Sequence, residues 1–553
     1  MKYLLKSMLL GLAVISMGIF TSCNSISGSN SEKEGATPID TTRITILQTA
    51  DIHGQLDPHP ELFWENDSII FRDRGGLAHI QTLFKEEKAK NPGNTVIVDG
   101  GDLIQGSGYA ALSEGAIFPD IIKNMDFDLI VPGNWEVVYG KEVMMDVLKG
   151  FEKPVIAQNM FHDDKDKKEL FPPYWIKEID GVKLGFIGIN DPDVPVRQNP
   201  IFSEGIGFSG IDDSVKDLIQ KVKKEEGVDA LFLVTHFGIF KQVELANNPI
   251  VKDVDYILGN DTHERVREPI QGKYARVTEP GAFGSFVGKM ELYFVDGEIV
   301  KEDYELMDVD PEKYPADPQI AELIEKAKEP YEDHLETVIG YTKTPIYRYL
   351  TVENPMDNMI TDAARWKTGA DISISNGFRF GNPIVPEDGK PAPITRANLW
   401  NLLPVNEKVK TGKATGKQIK DWLEKEMHNA FAQVATERFG GWLVRFSGME
   451  VDFNSQGEKG ERINSVKVNG EEMKDDEYYT ISACVRPGDP LDNLCRMPNV
   501  KDVEVKDYYI HDVVEEYLKK NSPVAPKLEK RAYCEHLGPN SFSTVPGTDY
   551  EFH

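Results

Sequence analysis

The segment Ile44-Thr45-Ile46-Leu47-Gln48-Thr49-Ala50-Asp51-Ile52-His53 places a carboxylate and an imidazole just after a short apolar run whose length suits a buried strand. Four more apolar, β-rich runs lie at residues 95–98, 129–131, 231–234 and 256–258. The polar residues that follow them are Gly101-Asp102, Gly133-Asn134, Thr235-His236 and Asp261-Thr262-His263. Helical stretches lie between the runs, so the pattern predicts an α/β fold. Sites in such folds form outside the carboxyl ends of the strands, so the five polar islands are expected to meet.

The residue types in these islands indicate metal ions. Carboxylate and amide oxygens suit hard cations, whereas neutral imidazole suits zinc, manganese or iron. The mixture therefore predicts two divalent transition-metal ions, manganese or zinc, rather than calcium. Two ions about 3.5–4 Å apart can share a bridging carboxylate, activate a water between them and clamp both oxygens of an in-line displacement. This chemistry suits the hydrolysis of small anionic esters.

The order and spacing of the islands resemble the metallophosphoesterase and 5′-nucleotidase superfamily, whose pattern runs D-x-H, G-D, G-N-H-E, a strand-end H and G-H-x-H. The resemblance covers nearly all of the chain after residue 42. It implies an α/β fold, with a four-layer metallophosphoesterase sandwich followed by a C-terminal 5′-nucleotidase-type α/β domain. The metal ligands that it implies are Asp51, His53, Asp102 and His263 around one ion, with Asn134 and His236 at a second ion that Asp102 bridges. Asp261 stands where the family has histidine, and we expect it to be a seventh, carboxylate ligand.

The fourth island departs from the family pattern. The chain reads Gly133-Asn134-Trp135-Glu136-Val137-Val138 where the family has G-N-H-E-F-D, so the family's catalytic histidine and its partner aspartate are absent. In the family that histidine stabilises charge developing in the transition state, whereas tryptophan offers only an indole N–H donor. A pocket-wall role and a catalytic role for Trp135 both stay open. His59 is a candidate replacement for the lost imidazole.

A related branch, the manganese-dependent thiosulfohydrolases of the bacterial sulfur-oxidation (Sox) system, is similar at these departures. Three segments carry this resemblance: Asn134-Trp135-Glu136 with Tyr139-Gly140, Gly377-Phe378-Arg379-Phe380-Gly381, and Pro487-Gly488-Asp489-Pro490-Leu491-Asp492 with Cys495-Arg496. The branch implies an alternative function, the removal of a sulfonate from a cysteine of a sulfur-carrier protein.

The C-terminal half supplies the expected substrate contacts. Residues 371–379 resemble the family's D-x-x-x-x-N-G-G-x-R segment, in which the arginine helps to hold the substrate. Since a guanidinium can make two parallel hydrogen bonds to phosphate or sulfonate oxygens, Arg379 is the expected anion clamp. The expected substrate-binding residues are Asn376, Phe378, Arg379, Asn406 and Asp489, and the expected catalytic residues are Asn134, Trp135 and Arg379.

The nucleoside pocket of the family is not intact. The family stacks a base between an aromatic of a P-F-x-N segment and one of a G-G-D-G-[FY] segment, but here these read Pro404-Val405-Asn406 and Pro487-Gly488-Asp489-Pro490. Stacking contributes about 1–3 kcal/mol per base in single-strand binding sites, so its loss should weaken nucleoside selectivity. Alternative aromatic platforms are Trp135, Phe378, Phe380 and Trp400.

The first residues resemble a bacterial lipoprotein signal. Lys2 and Lys6 precede an apolar stretch, and Thr21-Ser22 precede Cys23, so cleavage before Cys23 and lipid attachment to it are expected. The expected domains are the signal peptide at 1–22, a flexible tether at 23–42, the metal domain at 43–307, a linker helix at 308–337 and the substrate domain at 338–553. The protein should be exported and anchored as a periplasmic or cell-surface lipoprotein.

Composition limits the partners. The net charge of −29 argues against a nucleic-acid polymer or an anionic membrane surface, so membrane contact is expected only through the lipid anchor. Cys484 and Cys495 are either a disulfide or buried thiols.

The leading interpretation is a lipid-anchored, 5′-nucleotidase-like phosphomonoesterase in which a metal-bridging hydroxide attacks a nucleotide or another small phosphomonoester. The alternatives are the carrier-dependent thiosulfohydrolase and a metal-binding lipoprotein without catalysis.

Overall fold

The computed structural model of the protein describes residues 41–438 and 440–537. The expected signal peptide, Cys23 and the tether up to residue 40 lie outside the described residues. Below, the N-terminal part means residues 42–308 and the C-terminal part means residues 338–537.

Two sheets form the centre of the N-terminal part. In spatial order, the first contains Glu298–Asp308, Phe286–Val295, Thr42–Thr49, Thr95–Asp99 and Leu129–Ile130, and the second contains Ile270–Gln271, Arg276–Thr278, Tyr256–Asn260, Ala230–His236, Val182–Asn190 and Tyr174–Ile179. The five apolar runs are confirmed as strands, but they are divided between the two sheets. The central strands of each sheet run parallel, so that their carboxyl ends lie at one edge.

The sheets pack face to face through a fully buried apolar layer. Phe232 stacks between Phe186 and Tyr256, with ring centroids 4.9 and 5.6 Å apart. Helices cover both outer faces: Leu77–Lys90 packs against the first sheet, and Asp213–Gln220 and Ile239–Ala246 pack against the second. The four-layer arrangement predicted from the resemblance is confirmed.

Shorter elements complete the N-terminal part. They are the hairpin His59–Glu65 and Ser68–Arg74, the pair Met160–His162 and Ile206–Phe208, and the helices Gly108–Ser113, Phe118–Ile122, Lys141–Gly150 and Val194–Arg197. Single turns of other helix types lie at Glu136–Tyr139, Pro200–Ser203, Lys221–Glu225 and Pro249–Val251.

Helix Pro318–Leu335 leads into the C-terminal part, and Asp317 caps its first turn by accepting from the backbone N–H groups of Gln319 and Ile320. The C-terminal part has a five-stranded sheet of Arg445–Ser447, Ile372–Ser375, Tyr478–Cys484, Lys408–Thr415 and Lys501–Tyr509. A smaller sheet contains Glu471–Glu472, Ile463–Val468, Met449–Phe453 and Ala532–Tyr533, and Val338–Thr342 pairs with Ala392–Thr395. The helices are Pro355–Thr368, Arg396–Leu402, Gly416–Phe431 and Ile510–Asn521, with a single turn at Ala435–Glu437.

Buried polar contacts join the two parts. The Nε2 of Gln105 donates to the Pro404 carbonyl at 3.0 Å, and the Nδ2 of Asn382 donates to Gln55 Oε1 at 2.7 Å. A cleft therefore forms where the carboxyl ends of the strands face the C-terminal part. No helix in the described ranges has the length and apolar character needed to cross a membrane.

We predict that Phe232→Ala lowers the free energy of unfolding by about 3–5 kcal/mol, because it removes a buried ring from the layer between the sheets. Urea denaturation of the full chain measures the change. Val300→Ala, at an exposed strand position, is the control and should change stability by less than about 0.5 kcal/mol. Equal effects of the two substitutions would contradict the sandwich packing.

Candidate metal centre

Five of the predicted ligands converge at the carboxyl edges of the two sheets. Asp51 and His53 follow strand Thr42–Thr49, Asp102 follows Thr95–Asp99, His236 ends Ala230–His236, and His263 follows Tyr256–Asn260. The ligand atoms form two overlapping groups, Asp51 with His53 and His263, and Asp51 with Asp102 and His236. All five side chains are buried.

The distances within these groups are short. The Nε2 of His236 lies 3.1 Å from Asp102 Oδ2 and 3.7 Å from Asp51 Oδ1. The Nε2 atoms of His53 and His263 lie 3.0 Å apart, and each is 3.8–3.9 Å from Asp51 Oδ1. The carboxylate of Asp51 therefore lies between the two groups.

Backbone carbonyls orient the imidazoles. The Nδ1–H of His53 donates to the Gln105 carbonyl at 2.9 Å, and the Nδ1–H of His236 donates to the Gly100 carbonyl at 2.8 Å. His263 makes a hydrogen bond to the backbone of Arg379. Since a neutral imidazole has one donor and one acceptor nitrogen, the Nε2 lone pairs of His53 and His236 point at the two carboxylates.

In this arrangement, hydrogen-bond acceptors face one another without donors between them. Asp51 Oδ1 and His236 Nε2 have no hydrogen-bond partner although both are buried. Burial raises the pKa of Asp51 well above its ordinary value, and burial together with the neighbouring imidazole of His53 lowers the pKa of His263. Both shifts disfavour the charged forms of these two groups, whereas the Asp102 and Asp51 carboxylates raise the pKa of His236. Divalent cations fit the donor set, because they would bind the facing lone pairs and carboxylate oxygens.

Asn134 completes the second group. One terminal atom of its amide lies 2.8 Å from Asp102 Oδ2. If that atom is nitrogen, it donates to the carboxylate; if it is oxygen, two acceptors face each other and a cation between them would relieve the repulsion. The predicted ligand therefore lies beside the predicted bridging carboxylate.

The backbone of the site is in an unusual conformation. Asp51, His53, Asp102 and His263 all have φ between 51° and 63°, a region that residues other than glycine rarely adopt. Gly133 allows the loops to approach closely, since a Cβ atom there would lie 2.2 Å from Asp102 Oδ1.

Glu136 holds these loops together. Its carboxylate accepts from the backbone N–H groups of Asp102 at 2.9 Å, Leu103 at 2.7 Å and Gly133 at 2.6 Å. Burial, with a contribution from the Asp102 charge, raises the pKa of Glu136 to about 7. The sequence motif contained Glu136, but its role as the support of the Asp102 loop emerged only from the fold.

Asp261 is placed differently from the five clustered ligands. Both of its carboxylate oxygens accept hydrogen bonds from Arg197, at 2.8 and 3.0 Å, and Arg197 also pairs with Asp191 at 2.7 Å. The backbone N–H of Asp261 contacts the cluster by donating to Asp51 Oδ2 at 3.1 Å. The role of Asp261 as a seventh ligand stays a prediction. No sequence motif had indicated Arg197.

Arg379 lies in the cleft wall, but its guanidinium is buried in a two-pronged ion pair with Glu264 and lies over the Tyr349 ring. Glu264 directly follows His263 in the chain, so this pair joins the C-terminal part to the loop of a predicted ligand. The sequence had not indicated Glu264. The structure thus shows Arg379 in an ion pair that supports the site. Its contact with the substrate stays a prediction.

Aromatic side chains form the other wall of the cleft. Trp135 packs 5.9 Å from the His53 ring and close to Phe378 and Phe380, which come from the C-terminal part. The backbone N–H of Trp135 donates to Asp102 Oδ1 at 2.7 Å. Trp135, Phe378 and Phe380 line the cleft, whereas Trp400 packs against His511 elsewhere.

The remaining predicted residues are only partly at the cleft. Asn376 lines it and accepts a hydrogen bond from Arg496. Asn406 accepts from the backbone N–H of His511 at 3.1 Å, and Asp489 accepts from the amide of Asn493 at 3.1 Å. Neither of these two side chains lines the cleft.

Two further predictions concern histidine and cysteine. The ring nitrogens of His59 face the backbone carbonyls of Phe283 and Pro60, at 3.0 and 3.2 Å, so His59 is not aimed into the cleft. Cys484 and Cys495 are free thiols.

Comparisons with known proteins agree with this geometry. A family model for the calcineurin-like phosphoesterases matches residues 44–265, and a model for the 5′-nucleotidase C-terminal domain matches residues 338–483. The chain is 24% identical to the trifunctional nucleotide phosphoesterase protein YfkN of Bacillus subtilis over 88% of its length, and it spans only 34% of that protein. It is 23% identical to a 5′-nucleotidase of Vibrio vulnificus, with 88% of this chain and 92% of the relative covered.

A solved structure is similar over almost the whole chain. The sulfate thiohydrolase SoxB of Thermus thermophilus superposes with a TM-score of 0.80 at 22% identity, covering 92% of this chain and 98% of that one. At this identity the likeness establishes the fold.

We predict that Mn²⁺ or Zn²⁺ raises the melting temperature of the full chain and that EDTA reverses the effect, because a cation relieves the repulsion within the cluster. A free ion at 100 times its dissociation constant stabilises by about 2.7 kcal/mol per site. His236→Ala should lose most of the metal-dependent shift in a thermal melt, whereas His334→Ala, at an exposed position, should keep it. An equal shift in both variants would contradict the assignment.

We predict that Glu136→Gln weakens metal binding about 10–100-fold, as is typical for groups that orient metal ligands. The amide would present a nitrogen to backbone N–H donors and displace the Asp102 loop. Competition with a fluorescent chelator measures the affinity, with the exposed Glu142→Gln as the matched control. Unchanged affinity in Glu136→Gln would show that the loop holds its geometry without this carboxylate.

Proposed function

The chain belongs to the calcineurin-like phosphoesterases that carry a 5′-nucleotidase C-terminal domain, and from this premise we propose that it is a metal-dependent hydrolase of small phosphate monoesters. The observation that carries the proposal is the group of facing imidazole nitrogens and carboxylates at the floor of a cleft. The ligand assignment comprises Asp51, His53, Asp102, Asn134, His236, His263 and, as the least supported member, Asp261.

The metal ions, manganese or zinc in this proposal, would supply Lewis acidity and a nucleophilic water at neutral pH. The protein would hold the reacting groups in position and supply the local electrostatic field. Asp102 is held by Glu136 and by the N–H of Trp135, so its carboxylate keeps a fixed orientation. Arg197 and Arg496 line the cleft, where carboxylates hold their guanidinium groups in place.

Trp135 stands where a histidine would supply a hydrogen bond to the substrate. We place Trp135 at the cleft wall beside the reacting group, where it excludes water and limits the width of the substrate. Its neighbours Phe378 and Phe380 extend this wall from the C-terminal part. The support is that Trp135 and Phe380 pack beside His53 and that Phe378 packs against both of these rings.

Export and lipid attachment at Cys23 belong to the same proposal. Their support is the sequence of residues 1–23, in which a basic start, an apolar stretch and two small residues precede the cysteine. A substrate would then be met outside the cytoplasm.

A second candidate function is the hydrolysis of a sulfur-linked sulfonate on a carrier cysteine. One observation favours it: the three segments that resemble the thiosulfohydrolases, far apart in the chain, line one continuous region. Trp135, Phe378 and Arg496 lie in the cleft wall, and Arg486 and Cys495 lie in the adjoining cavity.

We predict that the full chain, loaded with Mn²⁺ or Zn²⁺, hydrolyses small phosphate monoesters and that Asp102→Ala abolishes turnover. The substrates are nucleotides, alkyl phosphates and a thiosulfonate-loaded cysteine peptide. Release of phosphate or sulfate is measured, and Asp146→Ala, an exposed aspartate of the same part, is the matched control. The reason is that the Asp102 carboxylate lies 3.1 Å from His236 and 3.8 Å from His53, so it would be one of the residues that hold the metal ions.

Each outcome separates the candidates. Phosphate release that requires Asp102 supports the phosphomonoesterase. Sulfate release alone supports the thiosulfohydrolase. Metal binding without turnover of any substrate would contradict both and leave a metal-binding protein.

A further inference from the structure

A second cavity, of about 140 Å³, adjoins the metal cleft and extends into the C-terminal part. The two spaces share wall residues, namely Trp135, Arg197, Gln198, Asn376, Phe378 and Arg496. The N-terminal part covers the cavity with residues 197–202, and Arg486 ties this cover to the C-terminal part by donating to the carbonyls of Val196 and Gln198. The cavity, which we call the tail cavity, therefore lies where the non-reacting end of a substrate would extend.

The size of the tail cavity limits what it can hold. An engineered cavity of about 150 Å³ in another protein holds one benzene molecule, so this space suits a single ring or a short alkyl chain. A nucleoside, with a base and a ribose, is larger. The inner wall is apolar, with Ile360, Ala364, Ile374 and Ile510 among its residues.

One polar group in this wall is available to a ligand. The carboxyl group of Glu407 has no lysine, arginine or histidine paired with it in the described ranges, and it accepts one long hydrogen bond, from Asn199 Nδ2 at 3.5 Å. In keeping with this, burial raises the pKa of Glu407 to about 7.

The four arginines in the wall cannot serve Glu407, because other groups hold each of them. Arg197 pairs with Asp191 and Asp261, and Arg348 pairs with Asp357 at 2.7 Å. Arg496 pairs with Glu426, and Arg486 donates to backbone carbonyls. The carboxyl group of Glu407 is thus left with one long hydrogen bond and without a cationic partner among the described residues.

We infer that the tail cavity selects a short substrate tail ending in a hydrogen-bond donor, above all a primary amine, which the carboxyl group of Glu407 receives. The preferred substrates are then ω-aminoalkyl esters rather than nucleotides. An ammonium group would be the missing partner of the Glu407 carboxylate, and its methylenes would contact the apolar wall. The inference deepens the proposed phosphomonoesterase function and rests on it for turnover, but it makes a separate statement about binding.

The test compares esters of primary alcohols, so that their leaving groups are alike. The kcat/KM of the metal-loaded full chain is measured for ω-aminoalkyl phosphates of two to six methylenes, for the alkyl phosphates without the amine, and for AMP. One aminoalkyl length should exceed its alkyl counterpart by about tenfold or more, as expected for a hydrogen bond to a charged group. AMP should be the poorer substrate.

Glu407→Gln should remove the preference for the amine while leaving kcat/KM for the alkyl phosphates unchanged. Glu387→Gln, an exposed carboxylate of the C-terminal part, is the matched control and should keep the preference. Ala364→Leu should fill the cavity and lower kcat/KM for the longer esters, whereas the turnover of methyl phosphate should be unchanged. AMP as the better substrate, or a preference for amines that Glu407→Gln leaves intact, would overturn the inference.

A binding measurement separates this inference from the proposed function. Calorimetry with non-hydrolysable ω-aminoalkyl phosphonates reports affinity without turnover. Tight binding that depends on Glu407, together with no hydrolysis of any ester, would uphold the tail cavity and overturn the phosphomonoesterase. The opposite result is phosphate release from every ester, with phosphonate affinities that depend neither on the amine nor on Glu407. It would uphold the phosphomonoesterase function and overturn the inference about the tail cavity.

Discussion

The structure depends on one electrostatic constraint: buried imidazole lone pairs and carboxylate oxygens face one another where the strands end. Asp51 Oδ1 and His236 Nε2 have no hydrogen-bond donor to satisfy them, and the Nε2 atoms of His53 and His263 lie 3.0 Å apart. Leaving such groups buried without partners is costly, and bound cations would offset this cost. Two further contacts hold these groups in this facing arrangement. Backbone carbonyls fix the imidazoles, and the Glu136 carboxylate fixes the Asp102 loop.

The second domain acts on this site by direct contact. Arg379 reaches across to Glu264, next to the ligand His263, and Phe380 lies 4.6 Å from the His53 ring. A buried ion pair across a cleft is strongly directional, and removing one member would leave an unpaired charge. The C-terminal part therefore both supports the metal cluster and closes its cleft, and the tail cavity continues from that cleft into the C-terminal part.

The aromatic wall explains how the chain differs from a nucleotide-binding arrangement. Trp135 occupies space beside the cluster and meets Phe378, so the rings line the entrance to the tail cavity instead of forming two parallel faces for a base. In the inference drawn above, substrate selection depends on the size and polarity of the tail cavity.

The sequence by itself determined the strands and the positions of five predicted ligands, because each of these residues follows an apolar run and parallel strands bring their ends together. The four-layer sandwich was implied by the family resemblance. The tertiary structure decided the partners of the polar residues outside that pattern. It paired Asp261 with Arg197 and Arg379 with Glu264, and it left Glu407 without a cation among the described residues. The physical reason is that strand periodicity is a local property of the chain, whereas the partner of a buried charge depends on which distant segments meet when the apolar surfaces pack.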